Sequence, residues 1–134
     1  MKKLEIEAKV DNLNEVTAFI DEQLEAAECS MKTQMQIDLA VEELFVNIAH
    51  YAYAPDVGMA VISTELSPDR KFSITFEDSG IPYDPLAKED PDITLSANER
   101  AIGGLGIFMV KKSMDDMYYE YRDGKNILTI VKGI

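Results

Sequence analysis

The sequence predicts an α+β two-layer sandwich, in which a mixed and mostly antiparallel sheet carries helices on one face. Three observations lead there. Residues 3–10 alternate Leu4, Ile6, Ala8 and Val10 against Lys3, Glu5, Glu7 and Lys9, the period of a half-buried strand. Residues 37–53 place Ile37, Val41, Leu44, Ile48 and Tyr51 on one helical stripe, with Phe45 and Ala52 beside it. Later in the chain, strand-like runs come in pairs joined by short turns, as hairpins do.

Each element follows in order. After the first strand, Asp11 or Asn12 is placed to cap a helix over roughly 13–28, whose inner face would carry Leu13, Val16, Ile20, Leu24 and Ala27. The central helix begins near Met31 and should stop before Pro55, because the residue preceding a proline disfavours helical geometry. Leu39 and Val46 point away from the main stripe, so this helix is expected to be covered on both sides. Residues 58–66 and 71–78 flank Ser67, Pro68, Asp69 and Arg70 and form a hairpin. Residues 79–99 lose all periodicity and hold three prolines, the pattern of a functional lid or a passive connector. A helix then starts in the glycines at 103–106, and a second hairpin turns at Gly124. The predicted order is β-α-α-β-β-loop-α-β-β.

The 134 residues, 46% of them hydrophobic, fit a single domain over 1–134. Thirteen Lys and Arg against 25 Asp and Glu leave a formal net charge of −12, a surface that repels nucleic acid and anionic membranes and suits a basic protein partner. A nucleotide bound here would need local donors and a divalent cation. Cys29 is the single cysteine, so an intrachain disulfide and a cysteine-based zinc site are excluded. No apolar run approaches the roughly 20 residues of a membrane span, and charges interrupt the N-terminal stretch, so a cytoplasmic location is expected.

Three groups of residues carry chemistry. Glu43 and Asn47, at i and i+4, lie one turn apart on a polar flank of the central helix with Gln36 and His50. Buried, they need partners, which capping contacts or a ligand would supply. Asp78 ends an apolar strand, and Gly80 follows two residues on. An acceptor there suits the exocyclic amine of adenine, with Gly80 letting a flat ring approach the backbone; a plain turn has the same sequence. Gly103, Gly104, Leu105 and Gly106 precede a helix and would offer bare N–H groups and a helix dipole to phosphates, or form a hinge.

Taken in order, Glu43-x-x-x-Asn47, Asp78-x-Gly80 and Gly103-Gly104-Leu105-Gly106 resemble the N, G1 and G2 boxes of the GHKL (HATPase) superfamily. The chain is most similar to its small single-domain members, the anti-sigma-factor serine/threonine kinases of the RsbW type. That resemblance implies the GHKL (Bergerat) ATP-binding fold, ATP and Mg2+ as cofactors, and phosphoryl transfer to a serine or threonine of a STAS-type anti-sigma-factor antagonist. It also implies sequestration of a sigma factor, and homodimers. By position it makes Glu43 the general base, Asn47 the magnesium ligand and Asp78 with Gly80 the adenine site. Gly103, Gly104, Leu105 and Gly106 become the phosphate loop, Arg100 an arginine near the phosphates, and Thr129 a support for Asp78 or the adenine. The family often carries a histidine where this chain has Tyr51, so His50 is expected at the surface. The rival reading is an ATP-binding interaction module that transfers no phosphate.

Overall fold

The computed structural model describes residues 1–87 and 104–134. Five strands form one sheet in the order β1-β2-β3-β5-β4: β1 (Lys2–Glu7), β2 (Met59–Leu66), β3 (Lys71–Asp78), β4 (Asp116–Arg122) and β5 (Lys125–Gly133). Among the described residues every pairing is antiparallel, so the mixed sheet that was expected becomes a wholly antiparallel one. Two hairpins account for this. Residues 67–70 close β2 onto β3, where Ser67 Oγ accepts from Lys71 N at 3.0 Å. Asp123 and Gly124, with φ of 55° and 76°, close β4 onto β5 in the doubly left-handed geometry that matches strand twist.

Alternation along the strands decides which side is covered. Ile6, Ala60, Ile62, Phe72, Ile74, Phe76 and Ile130 are buried together with the inner faces of three helices, α1 (Leu13–Ala26), α2 (Met31–Asn47) and α3 (Gly104–Ser113). Helix α1 buries Val16, Ile20 and Leu24, and α2 buries Ile37, Ala40, Val41, Leu44 and Phe45. Each such side chain removed from water stabilises the fold by roughly 1.5–3 kcal/mol, so this one layer of contacts holds both tiers together. Helix α2 lies between α1 and α3, and the site is built on it.

The helix ends obey local chemistry. Ser30 caps α2 by accepting from Thr33 N at 3.2 Å. At the end of α1, Glu28 adopts φ of 57°, and its N–H bonds Glu25 O at 3.0 Å while Cys29 N–H bonds Leu24 O at 3.0 Å, a left-handed stop that satisfies two orphan carbonyls.

Four expectations change. The first strand ends at Glu7 because Val10, Asp11 and Asn12 tighten into a 3-10 turn, leaving Val10 exposed. Neither Asp11 nor Asn12 caps α1 through its side chain; Asn12 Nδ2 donates back to Glu7 O at 2.9 Å instead. Leu39 is 64% exposed and continues a stripe of Met31 and Met35, so α2 is covered on its inner side and flanks only. Tyr51 leaves the buried stripe because Ile48–Ala52 widens into a π-helical turn, which rotates each following side chain backward.

Between α1 and α2, the carboxyls of Asp38 and Asp21 adjoin, and Oδ1 of each is buried without a partner among the described residues. Burial, then the proximity and charge of Asp21 and the charge of Glu25, push the Asp38 carboxyl up to about 7. A folded-state value above the unfolded one means the folded chain holds the proton more tightly, so stability is fully present near pH 4 and falls as pH rises to about 7. Replacing Asp38→Asn should therefore flatten that decline in the melting temperature and stabilise the protein at pH 8 by about 1 kcal/mol, after allowing for solvent screening.

Candidate active site

The site begins where β3 runs out. Asp78, the last residue of β3, faces inward and is only 7% exposed. Its register partner across the ladder is Asn126, near the start of β5. Asn126 Nδ2 donates to Asp78 Oδ1 at 2.9 Å and to Ile81 O at 2.8 Å; its Oδ1 accepts from Tyr83 N at 3.1 Å and from Tyr119 Oη at 2.5 Å. Two donors and two acceptors are all satisfied, which is what a buried carboxamide requires. One side chain thus ties β3, β4, β5 and the loop after Asp78 into a single network. Gly80 N–H adds a second bond to Asp78 Oδ1 at 2.9 Å. Among the described residues both hydrogen bonds fall on one oxygen, Oδ1.

The loop crosses the end of α2 at Gly80. A Cβ built there would lie 2.2 Å from the Ala52 carbonyl oxygen, and Ile81 N–H bonds that same oxygen at 3.0 Å. The glycine is needed for the chain to pass over the π turn, a requirement beyond the ring approach that the sequence suggested. Tyr53 fastens the same corner from outside: its hydroxyl donates to Met59 O at 2.6 Å and accepts from Ser79 N at 2.7 Å, while its ring fills the space a Gly58 side chain would take.

Inside this corner is an apolar cavity walled by Leu44, Ile48, Phe76, Ile81 and Leu128, with Asp78, Asn126, Tyr119 and Asn47 as its polar groups. Its apolar walls and few convergent polar groups are the usual make-up of a small-molecule site. Asn47 and Asp78 therefore face one space, although a whole strand and a helix separate them in sequence. The Asn47 amide makes no hydrogen bond with any described residue, so its oxygen is available to a ligand. No group of three His, Cys, Asp or Glu among the described residues could hold a metal on its own. A single amide oxygen suits magnesium only where phosphates and water supply the remaining ligands.

One turn before Asn47, the Glu43 carboxyl is pushed up, first by burial and second by the neighbouring charge of Glu42. It lies against Gly106 in the first turn of α3.

The expected site residues divide as follows. Asn47 and Asp78 share the cavity, and Glu43 and Gly106 touch. Gly104 and Leu105 open α3, while Arg100 and Gly103 fall outside the described residues. Thr129 does not reach Asp78. It pairs with Thr75 on the opposite face of the sheet, and the two hydroxyls bond at 3.0 Å. Asn126, Tyr119 and Tyr53 were missed from sequence, because only the pairing of β5 with β3 shows that Asn126 meets Asp78. His50 is exposed and stacks edge-on against Tyr51, as expected.

The sequence matches the histidine kinase-like ATPase domain family across residues 6–132. The chain belongs to that family. Within it, the chain is 29% identical to the serine/threonine-protein kinase BtrW of Bordetella bronchiseptica, over 75% of this chain and 71% of that protein. It is 31% identical to the serine-protein kinase RsbW of Bacillus cereus over 67% of this chain, and spans 58% of that relative's length. The fold is shared with the crystal structure of the RsbU and RsbW domains of Rv1364c from Mycobacterium tuberculosis, at a TM-score of 0.69 and 19% identity over 99% of this chain and 32% of that one. No helix among the described residues of this ATPase domain is long and apolar enough to cross a membrane.

Removing the amide should expose the weight of the network. Asn126→Ala removes the amide that Ile81 O, Tyr83 N–H and the Tyr119 hydroxyl share, and is expected to cost about 2–3 kcal/mol in chemical denaturation, whereas Thr129→Ala should cost less than about 1 kcal/mol.

Proposed function

We propose that this ATPase domain is a protein-serine/threonine kinase that transfers the γ-phosphoryl group of ATP to a hydroxyl of a STAS-type antagonist protein and sequesters a sigma factor. The observation that carries the reading is the Asp78 carboxylate, fixed at the end of an apolar cavity by hydrogen bonds to one oxygen and with Asn47 facing the same space. That the BtrW and RsbW relatives are a serine/threonine-protein kinase and a serine-protein kinase supports the same choice.

Asp78 Oδ2 accepts the exocyclic amine of adenine, and the cavity walls sandwich the ring. Asn47 would hold the magnesium, and Gly103 and Gly104, with Arg100, would hold the phosphates. Bound MgATP supplies the phosphoryl group, and its metal draws charge from the phosphate oxygens. Glu43 takes the proton of the attacking serine or threonine hydroxyl as the oxygen–phosphorus bond forms and the bond to the bridging oxygen breaks, releasing ADP. A carboxyl raised by burial is a better base than a solvated one, so the environment of Glu43 suits that task. The strongly acidic chain favours a partner with basic surface around its acceptor hydroxyl.

The test is labelled-ATP transfer to purified STAS-domain proteins. Glu43→Ala should slow transfer by about 10²–10⁴-fold while calorimetric ATP affinity stays within a few-fold, and Asp78→Asn should abolish binding. Nucleotide bound normally with no labelled partner would leave an interaction module without phosphoryl transfer; transfer persisting in Glu43→Ala would remove the acid from the mechanism.

A further inference from the structure

A Cβ built on Gly106 would lie 2.1 Å from Glu43 Oε1 and 2.2 Å from its Cδ, so the carboxylate fills the place of the missing side chain. We propose that Gly106 is a positioning residue for the base: by carrying no side chain, it lets the Glu43 carboxylate rest against the first turn of α3 and so fixes where that carboxylate meets the acceptor hydroxyl. This rests on Glu43 being the base, and it differs from a direct contact between Gly106 and phosphate.

The two crowded glycines of the site behave differently. At Gly80 the obstructing atoms are the Ala52 carbonyl, which is backbone and cannot move without unmaking the corner. At Gly106 they are the far end of one flexible side chain. Neither helix can retreat, because Ile107, Val110 and Met114 anchor α3 in the core and Leu44 and Phe45 anchor α2 on either side of the contact. Any added atom must therefore be accommodated by the χ angles of Glu43. Among the described residues Glu43 has no hydrogen-bond or ion-pair partner that would hold those angles instead. Alanine is also the better helix former at a position inside α3, so glycine is kept there against local preference.

Gly106→Ala should fold, bind MgATP and lose turnover. Measured as ADP formation from MgATP, with and without the STAS-domain substrate, kcat should fall tenfold or more while KM for ATP changes by less than about threefold. In a Glu43→Gln background, the same substitution should change kcat by less than about twofold, because the group it displaces is already inactive. A raised KM with kcat intact, or a loss that multiplies in the Glu43→Gln background, overturns the proposal in favour of a phosphate contact. Melting temperatures supply a readout free of activity. Gly106→Ala should raise the melting temperature more in a Glu43→Ala background than in the parent, and should fold there even if it fails alone. Equal shifts in both backgrounds overturn the contact. Parent protein that binds ATP but forms no ADP defeats the kinase reading, and this second cycle then still decides the packing of Glu43 on Gly106.

Discussion

The hydrogen bond from Asn126 to Asp78 is the constraint on which the site depends. It crosses from β5 to β3 at the last rung of the ladder, where the sheet no longer supplies backbone partners to hold a chain end. Because the same amide also takes Ile81 O, Tyr83 N and the Tyr119 hydroxyl, the strand end, the loop after it and the edge strand move as one unit. A carboxylate in an apolar corner is stable only with such partners. Fixing one oxygen of Asp78 orients the carboxylate that lines the cavity, which is what selective recognition of an amine requires.

Helix α2 joins this corner to the chemistry. Its buried face, from Ile37 to Phe45, forms the middle of the core, so its polar flank is held as firmly as the core itself. Glu43 and Asn47 thereby inherit a rigid platform one turn apart. The π turn at Ile48–Ala52 then redirects the chain so that the Ala52 carbonyl meets Ile81 N–H, and the loop after β3 closes over the helix end. Core, helix and site are one packing problem rather than a scaffold with a site attached.

Much of this was legible in the sequence because it depends on period. Strand alternation in residues 71–78 and helical spacing in 37–48 placed the elements and ordered them correctly, and the first two boxes named Asn47 and Asp78, which share the cavity. What depends on register or on a local change of period was not legible. Thr129 and Asn126 both lie on β5, but parity sends one to each face, and only the pairing with β3 shows which meets Asp78. The π turn adds a residue to one helical revolution, so Tyr51, which a regular helix would bury, emerges at the surface. Leu39 was expected under cover because its neighbours are apolar, yet helices α1 and α3 occupy the flanks of α2 and leave that stripe open. That Gly80 must also pass the Ala52 carbonyl was not legible, since spacing identifies a glycine but not the backbone beside it.

The central claim is that Asp78, held by Asn126, reads the exocyclic amine of a purine. The most direct measurement is calorimetric comparison of ATP with inosine triphosphate, which presents a carbonyl oxygen in place of that amine, in the presence of magnesium. The account predicts at least about a tenfold weaker affinity for the inosine nucleotide, from a lost hydrogen bond and an unpaired buried carboxylate. Equal affinities would contradict it.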